Sequence, residues 1–171
     1  PMIIGCDLSR FEEDKAQEIA NEVSKNYKCL DAFINNASIL KKMSSINDYD
    51  LRSWKKVLNV NLTSAFLLSK YLMPLMMDSK LPRIIFTSSG VANKGKAYWG
   101  AYSVTKAGIK NLSEILNDEL DSLTNFKVFS FNPKETRTEM RALAYPAENP
   151  SSVKTPDELI NYYLWMLSER S

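Results

Sequence analysis

Residues 83–106, RIIFTSSGVANKGKAYWGAYSVTK, constrain this chain more than any other stretch. The β-branched and aromatic run from Ile84 to Thr87 predicts a short buried strand, ending in Ser88 and Ser89 where the backbone must leave a sheet. After a loop holding Gly90, Gly95 and Gly100, a helical pattern begins, with Tyr102 and Lys106 four residues apart on one face. A phenol, an ammonium and a strand-end hydroxyl are thus expected at one place. A nearby cation favours a phenolate, so Lys106 is expected to draw the Tyr102 pKa down from about 10 toward neutrality. Ser89 is then positioned to hold a carbonyl or alcohol oxygen while Tyr102 exchanges its proton.

A short motif of this kind alone usually marks a solvated helix face, so the rest of the chain has to carry weight. The 171 residues, 44% of them hydrophobic, are enough for one sizeable core, and a single partial α/β domain over residues 1–171 is predicted. Twenty-two basic and 20 acidic side chains leave +2 with no basic block, which argues against nucleic acid and anionic membrane as partners. The most apolar stretch, AFLLSKYLMPLMM, is interrupted by Lys70 and Pro74 and is too short to span a bilayer. The chain opens without a signal-peptide layout, so a cytoplasmic protein is expected. Cys6 and Cys29 read as buried thiols, and the lack of histidine excludes Ser-His triads and His-ligated metals. No metal site is predicted.

In chain order, MIIGC at residues 2–6 predicts a strand ending at Asp7. Ser9 and Glu12 form a capping-box pattern that opens a helix to about Tyr27, with Ile19, Val23 and Tyr27 inward. LDAFI at 30–34 predicts the next strand, followed by Asn35, Asn36, Ala37 and Ser38. A long helix is expected over 50–77, bent before Pro74, then the central strand and a helix from Tyr102 to about Ser122. KVFSF at 127–131 is the last strand, and Asn132 and Pro133 end it. A Pro-, Met- and Tyr-rich loop fills 136–154, with Thr136 and Thr138 as possible caps of a short helix through Leu143. Thr155, Pro156 and Glu158 then open a helix to about Ser168. Strands alternating with helices predict a doubly wound parallel sheet, whose ligands lie beyond the carboxyl ends of the strands.

A strand-end serine thirteen residues before a tyrosine, with lysine four beyond it, resembles the active-site signature of short-chain dehydrogenases and reductases. In that family an asparagine of the preceding long helix completes a tetrad, and WKKVLNVNLTSAF places Asn61 there. WGAYSVTK, TRTEMRALAYP and TPDELINYYLWML are closer still to one branch, the YciK-type bacterial oxidoreductases. The resemblance implies a Rossmann-like fold and interconversion of a small-molecule carbonyl and alcohol with NAD or NADP, the choice between them open. It implies Asn61, Ser89, Tyr102 and Lys106 as the catalytic set. Cofactor contacts are implied for Asp7, Asn36, Ala37, Tyr102, Lys106, Pro133, Thr136 and Thr138. Family members commonly pair their two long helices, which implies a homodimer or homotetramer through Phe66, Tyr71, Leu112 and Leu116.

The sequence also departs from the family pattern. No TGxxxGxG turn occurs among its five glycines, and the resemblance begins at the family's third strand, so a fragment lacking the first two strands and the last one is expected. Ser38, a mild change, and Lys134 stand where members usually carry glycine, and without the turn that holds the pyrophosphate in the family, weak dinucleotide binding is expected. The competing expectation is a non-catalytic remnant with a structural or subunit role.

Overall fold

In the computed structural model, which describes residues 1–122 and 125–171, three parallel strands form one sheet in the order β1-β2-β3. They are β1 (Ala32–Asn35), β2 (Arg83–Thr87) and β3 (Lys127–Phe131). Ile84 lies opposite Phe33 on one side and Val128 on the other, while Ile85 lies opposite Ile34 and Phe129. Alternation therefore sends Phe33, Ile84, Phe86 and Val128 to one face and Ile85, Phe129 and Phe131 to the other. β2 is buried on both faces, as a central parallel strand must be, and its apolar run follows from that. Each fully buried Ile or Phe contributes about 1.5–3 kcal/mol of transfer free energy.

The first face is covered by α3 (Ser64–Leu72), the turn after it and α4 (Gly100–Leu120): Ala65, Met76, Ile109, Leu116 and Leu120 cluster with Ile84 and Phe86. The opposite face meets α6 (Ile160–Met166), whose Trp165, Tyr162 and Tyr163 rings contact Phe129 and Phe131. The predicted box before α6 forms, with Glu158 accepting from the Thr155 N–H at 2.7 Å. The long helical region is α2 (Leu51–Leu58), a π-helical turn over Asn59–Thr63, α3, and a 3-10 turn at Met73–Met76 that contains Pro74. Among the described residues no helix is long and apolar enough to cross a membrane, and no cluster of His, Cys, Asp or Glu forms a metal site.

Several expectations are corrected. Residues 2–6 form no strand: they pair with nothing in the sheet, Ile3 is 90% exposed, and Cys6 is exposed rather than buried. Cys29 is only partly buried. Ser9 does not cap a helix. It lies inside a 3-10 turn, Leu8–Arg10, where its N–H donates to Asp7 at 2.9 Å, and α1 starts later, at Glu13–Asn26. The buried residues of α1 are Ala16 and Ala20, whereas Tyr27 is half exposed. Of the four residues expected at an oligomer contact, Leu116 is in the core, Leu112 packs against it, and Tyr71 packs beside Phe11 and Leu67. Phe66 alone of these four remains exposed.

Candidate active site

A cleft of about 760 Å³ lies where the carboxyl ends of all three strands meet the N-terminal part of α4. One wall is the segment after β1, Asn36, Ala37 and Ser38; the floor is Thr87, which ends β2, with Ser88 and Ser89 after it; Pro133, Lys134 and Thr136 follow β3. The far wall includes Thr138, Met140 and Arg141, the last two in α5 (Glu139–Ala144). The crossovers of a parallel sheet run behind it, so strand-end segments are the ones free to line such a cleft.

Tyr102 and Lys106 enter from α4. Gly100 starts that helix with φ +41°, a conformation suited to glycine, and the Tyr49 ring lies against it where a Cβ would stand. Tyr102 is buried, its ring 5.5 Å from that of Trp99, and it lines the cleft together with Ser89. Burial pushes the Tyr102 phenol above its ordinary value, and the nearby Ser89 side chain offsets part of this. This reverses the expected direction. Lys106 does sit over the ring, 5.6 Å from its centroid, but its ammonium donates to the Thr87 carbonyl at 2.7 Å. Lys106 is itself buried, which lowers its pKa to about 8.

Eight of the ten residues singled out in the sequence line this cleft: Asn36, Ala37, Ser89, Tyr102, Lys106, Pro133, Thr136 and Thr138. Asn61 and Asp7 do not. The Asn61 side chain is 1% exposed and committed to protein: Oδ1 accepts from Ile39 N–H at 2.8 Å, and Nδ2 donates to the Ile39 carbonyl at 3.0 Å and to Thr105 Oγ1 at 3.2 Å. Both of its N–H groups are thus taken, and the side chain does not line the cleft. Asp7 accepts from Ser9 and stays exposed, and that hydrogen bond holds its carboxyl below the usual range. Thr138 caps α5, accepting from Arg141 N–H at 3.1 Å, and the Thr136 hydroxyl donates to the Pro133 carbonyl at 3.2 Å.

Sequence reasoning gave no role to Thr87, whose hydroxyl donates to Asn36 Oδ1 at 3.1 Å and whose carbonyl receives Lys106. Its place as the last β-branched residue of the strand was the available signal. Ser38 is unusual in another way: among the described residues its Oγ is the buried side-chain oxygen with no hydrogen-bond partner. Lys134 adopts φ +55°, the left-handed region, and its N–H donates to Asn132 Oδ1 at 2.9 Å.

Known proteins share this fold. An uncharacterized oxidoreductase, YciK, of Escherichia coli K12 is 34% identical over 165 residues, which cover 96% of this chain. The match spans 65% of that relative's own length. A short chain dehydrogenase from Pseudomonas syringae superposes with a TM-score of 0.95 at 36% identity, over 99% of this chain and 68% of that one. Another, from Shigella flexneri 2a and complexed with NADP, gives 0.92 at 33% identity, over 96% of this chain and 68% of that one. The short chain dehydrogenase profile matches residues 2–149, the stretch that carries all three strands and most of the cleft, and the chain belongs to that family.

Proposed function

We propose that this chain interconverts a small-molecule carbonyl and the corresponding alcohol with a nicotinamide dinucleotide, NAD or NADP. The observation that carries the reading is the meeting of Ser89, Tyr102 and Lys106 in one cleft at three strand ends, with the Lys106 ammonium over the Tyr102 ring. The cleft fits such a group. Buried hydroxyls are rarely left unpaired, and the lone Ser38 oxygen in the cleft lining is a polar contact awaiting a ligand. Asn36, Ala37, Tyr102, Lys106, Pro133, Thr136 and Thr138 would hold the dinucleotide. When bound, the dinucleotide supplies or accepts the hydride at the carbonyl carbon.

The chain's own residues handle the proton. Because burial raises its pKa, Tyr102 is a phenol at neutral pH and acts as donor to the substrate oxygen in the reducing direction. Ser89 orients that oxygen and then stabilises the phenolate. Lys106 keeps its charge below about pH 8, so the phenolate forms next to a cation in a low-dielectric site. Asn61 acts in this scheme by fixing the segment after β1 rather than by touching reactants. The same reading carries a cytoplasmic setting and a homodimer or homotetramer, supported by the family's common pairing of its two long helices and by the exposed Phe66.

The test is oxidation of NADPH or NADH at millimolar concentration, followed by absorbance across a panel of ketones and aldehydes. Tyr102→Phe removes one hydroxyl and should lower kcat/KM by about 100-fold or more while leaving the melting temperature close to wild type. Equal turnover by the variant would remove Tyr102 from the proton transfer, and no turnover by the wild type across the panel would return the chain to the non-catalytic alternative.

A further inference from the structure

Beside the cleft a second hollow, about 380 Å³, opens between the loop after Ser89 and the segment after β3. The two share Ser89, Trp99, Asn132, Lys134 and Arg141, so a molecule held at Ser89 extends from one into the other. The hollow is cationic: Lys94, Lys96, Lys134 and Arg141 line it against the single carboxylate of Glu135. Arg141 is neutralised by Glu148, through contacts of 2.7 and 2.5 Å, and stacks on the Tyr145 ring. Lys96 donates to the Tyr145 hydroxyl at 3.1 Å. Lys94, Lys96 and Lys134 form no ion pair with a carboxylate among the described residues. Lys134 stands at the junction in a backbone conformation that glycine adopts without cost, and strained residues that persist cluster at ligand sites. Unpaired cations around a hollow with Trp99 and Tyr145 in its lining favour an anionic group over a neutral one.

We infer that the substrate is an anionic carbonyl or alcohol, whose carboxylate or phosphate is held by Lys96 and Lys134 in this side hollow while its reacting oxygen lies at Ser89 and Tyr102. The inference rests on the proposed function for the placement of the reacting oxygen, and on the hollow for the anion.

Matched probes separate the two. Acetoacetate, levulinate and dihydroxyacetone phosphate are titrated calorimetrically into the full chain at low ionic strength, against the two methyl esters and dihydroxyacetone. At least one anion should bind about tenfold or more tightly than its neutral partner, and added salt should reduce the difference. In the Lys96→Gln/Lys134→Gln double variant, checked for an unchanged melting temperature, the advantage should fall below about threefold. Whether the carboxylates or the phosphate show it identifies the anion. Equal binding of each pair, no binding of any anion, or an advantage that survives in the double variant overturns the inference. Reduction of the neutral probes, measured separately with NADPH, tests the redox reading. Turnover without anion preference removes only the anion site, and anion binding lost in the double variant without turnover removes only the redox reading.

Discussion

Replacing Lys106 by methionine should make the protein more stable and reveal a pH signature that belongs to this one residue. Lys106 is 3% exposed, and among the described residues no carboxylate pairs with it; its ammonium meets the Thr87 carbonyl. A fall in pKa from 10.5 to about 8 means that keeping it charged in the fold costs about 3 kcal/mol below pH 8, at about 1.4 kcal/mol per pH unit. Methionine keeps the length and removes the charge, but it forfeits the hydrogen bond to Thr87, worth about 1–2 kcal/mol. The net expectation at pH 7 is a gain of about 1–2 kcal/mol, or a few degrees in Tm. The sign with pH follows from proton counts. Between about pH 8 and 10.5 the unfolded wild type keeps a lysine proton that the folded wild type has released, so wild-type stability rises with pH there. The variant lacks this rise, and its advantage should vanish or invert by pH 10. Tyr102 is common to both proteins, so its titration cancels to first order in the difference. Urea unfolding of both at pH 7, 8.5 and 10 measures the gap. A gap that stays constant over that range, or a variant less stable at pH 7, refutes the assignment of a strained buried cation.

Three further outcomes are expected. Gly100→Ala should cost more than about 3 kcal/mol, because its Cβ would sit 2.2 Å from the Tyr49 ring at a φ of +41°, whereas Gly95→Ala, with nothing within 4 Å, should change stability by under about 1 kcal/mol in the same denaturation experiment. Ser38→Ala should stabilise the ligand-free chain by about 1 kcal/mol by deleting an unpaired hydroxyl, and should weaken NADPH binding in a fluorescence titration; tighter binding would show that Ser38 obstructs the cleft. Phe66→Asp should shift sedimentation from dimer or larger to monomer, and a monomeric wild type at high concentration would dispose of the helix-pairing assembly.

What was legible in the sequence is what local chemistry decides. The apolar run of β2, the shared face of Tyr102 and Lys106, the break at Pro74 and the Thr155–Glu158 box all follow from patterns of a few residues. What failed needed distant partners. Residues 2–6 have strand propensity but no strand beside them in the sheet, so they stay irregular and Ile3 is left in water. Asn61 was placed in the site by its resemblance to the family's tetrad, but its partners lie 22 residues earlier, at Ile39, and 44 later, at Thr105. The Tyr102 pKa was misjudged because sequence spacing gives proximity to Lys106, whereas direction and burial decide the sign.

The Asn61 bonds also divide the cleft into two mechanical parts. By holding both backbone groups of Ile39 and reaching Thr105, they fasten the segment after β1 to the helix that carries Tyr102 and Lys106. The opposite wall is braced within itself, by Arg137 N–H on the Lys154 carbonyl at 2.8 Å and by the Arg141–Glu148 pair. It meets the other side largely through Met140, Ala144 and Tyr145 packed near Trp99 and Tyr102. Apolar contacts of this kind slide and separate more readily than a three-bond rivet. The cleft thus has an anvil and a jaw, and substitutions in α5 are expected to change association and release rates in stopped-flow binding while the spacing of Tyr102 and Lys106 stays fixed.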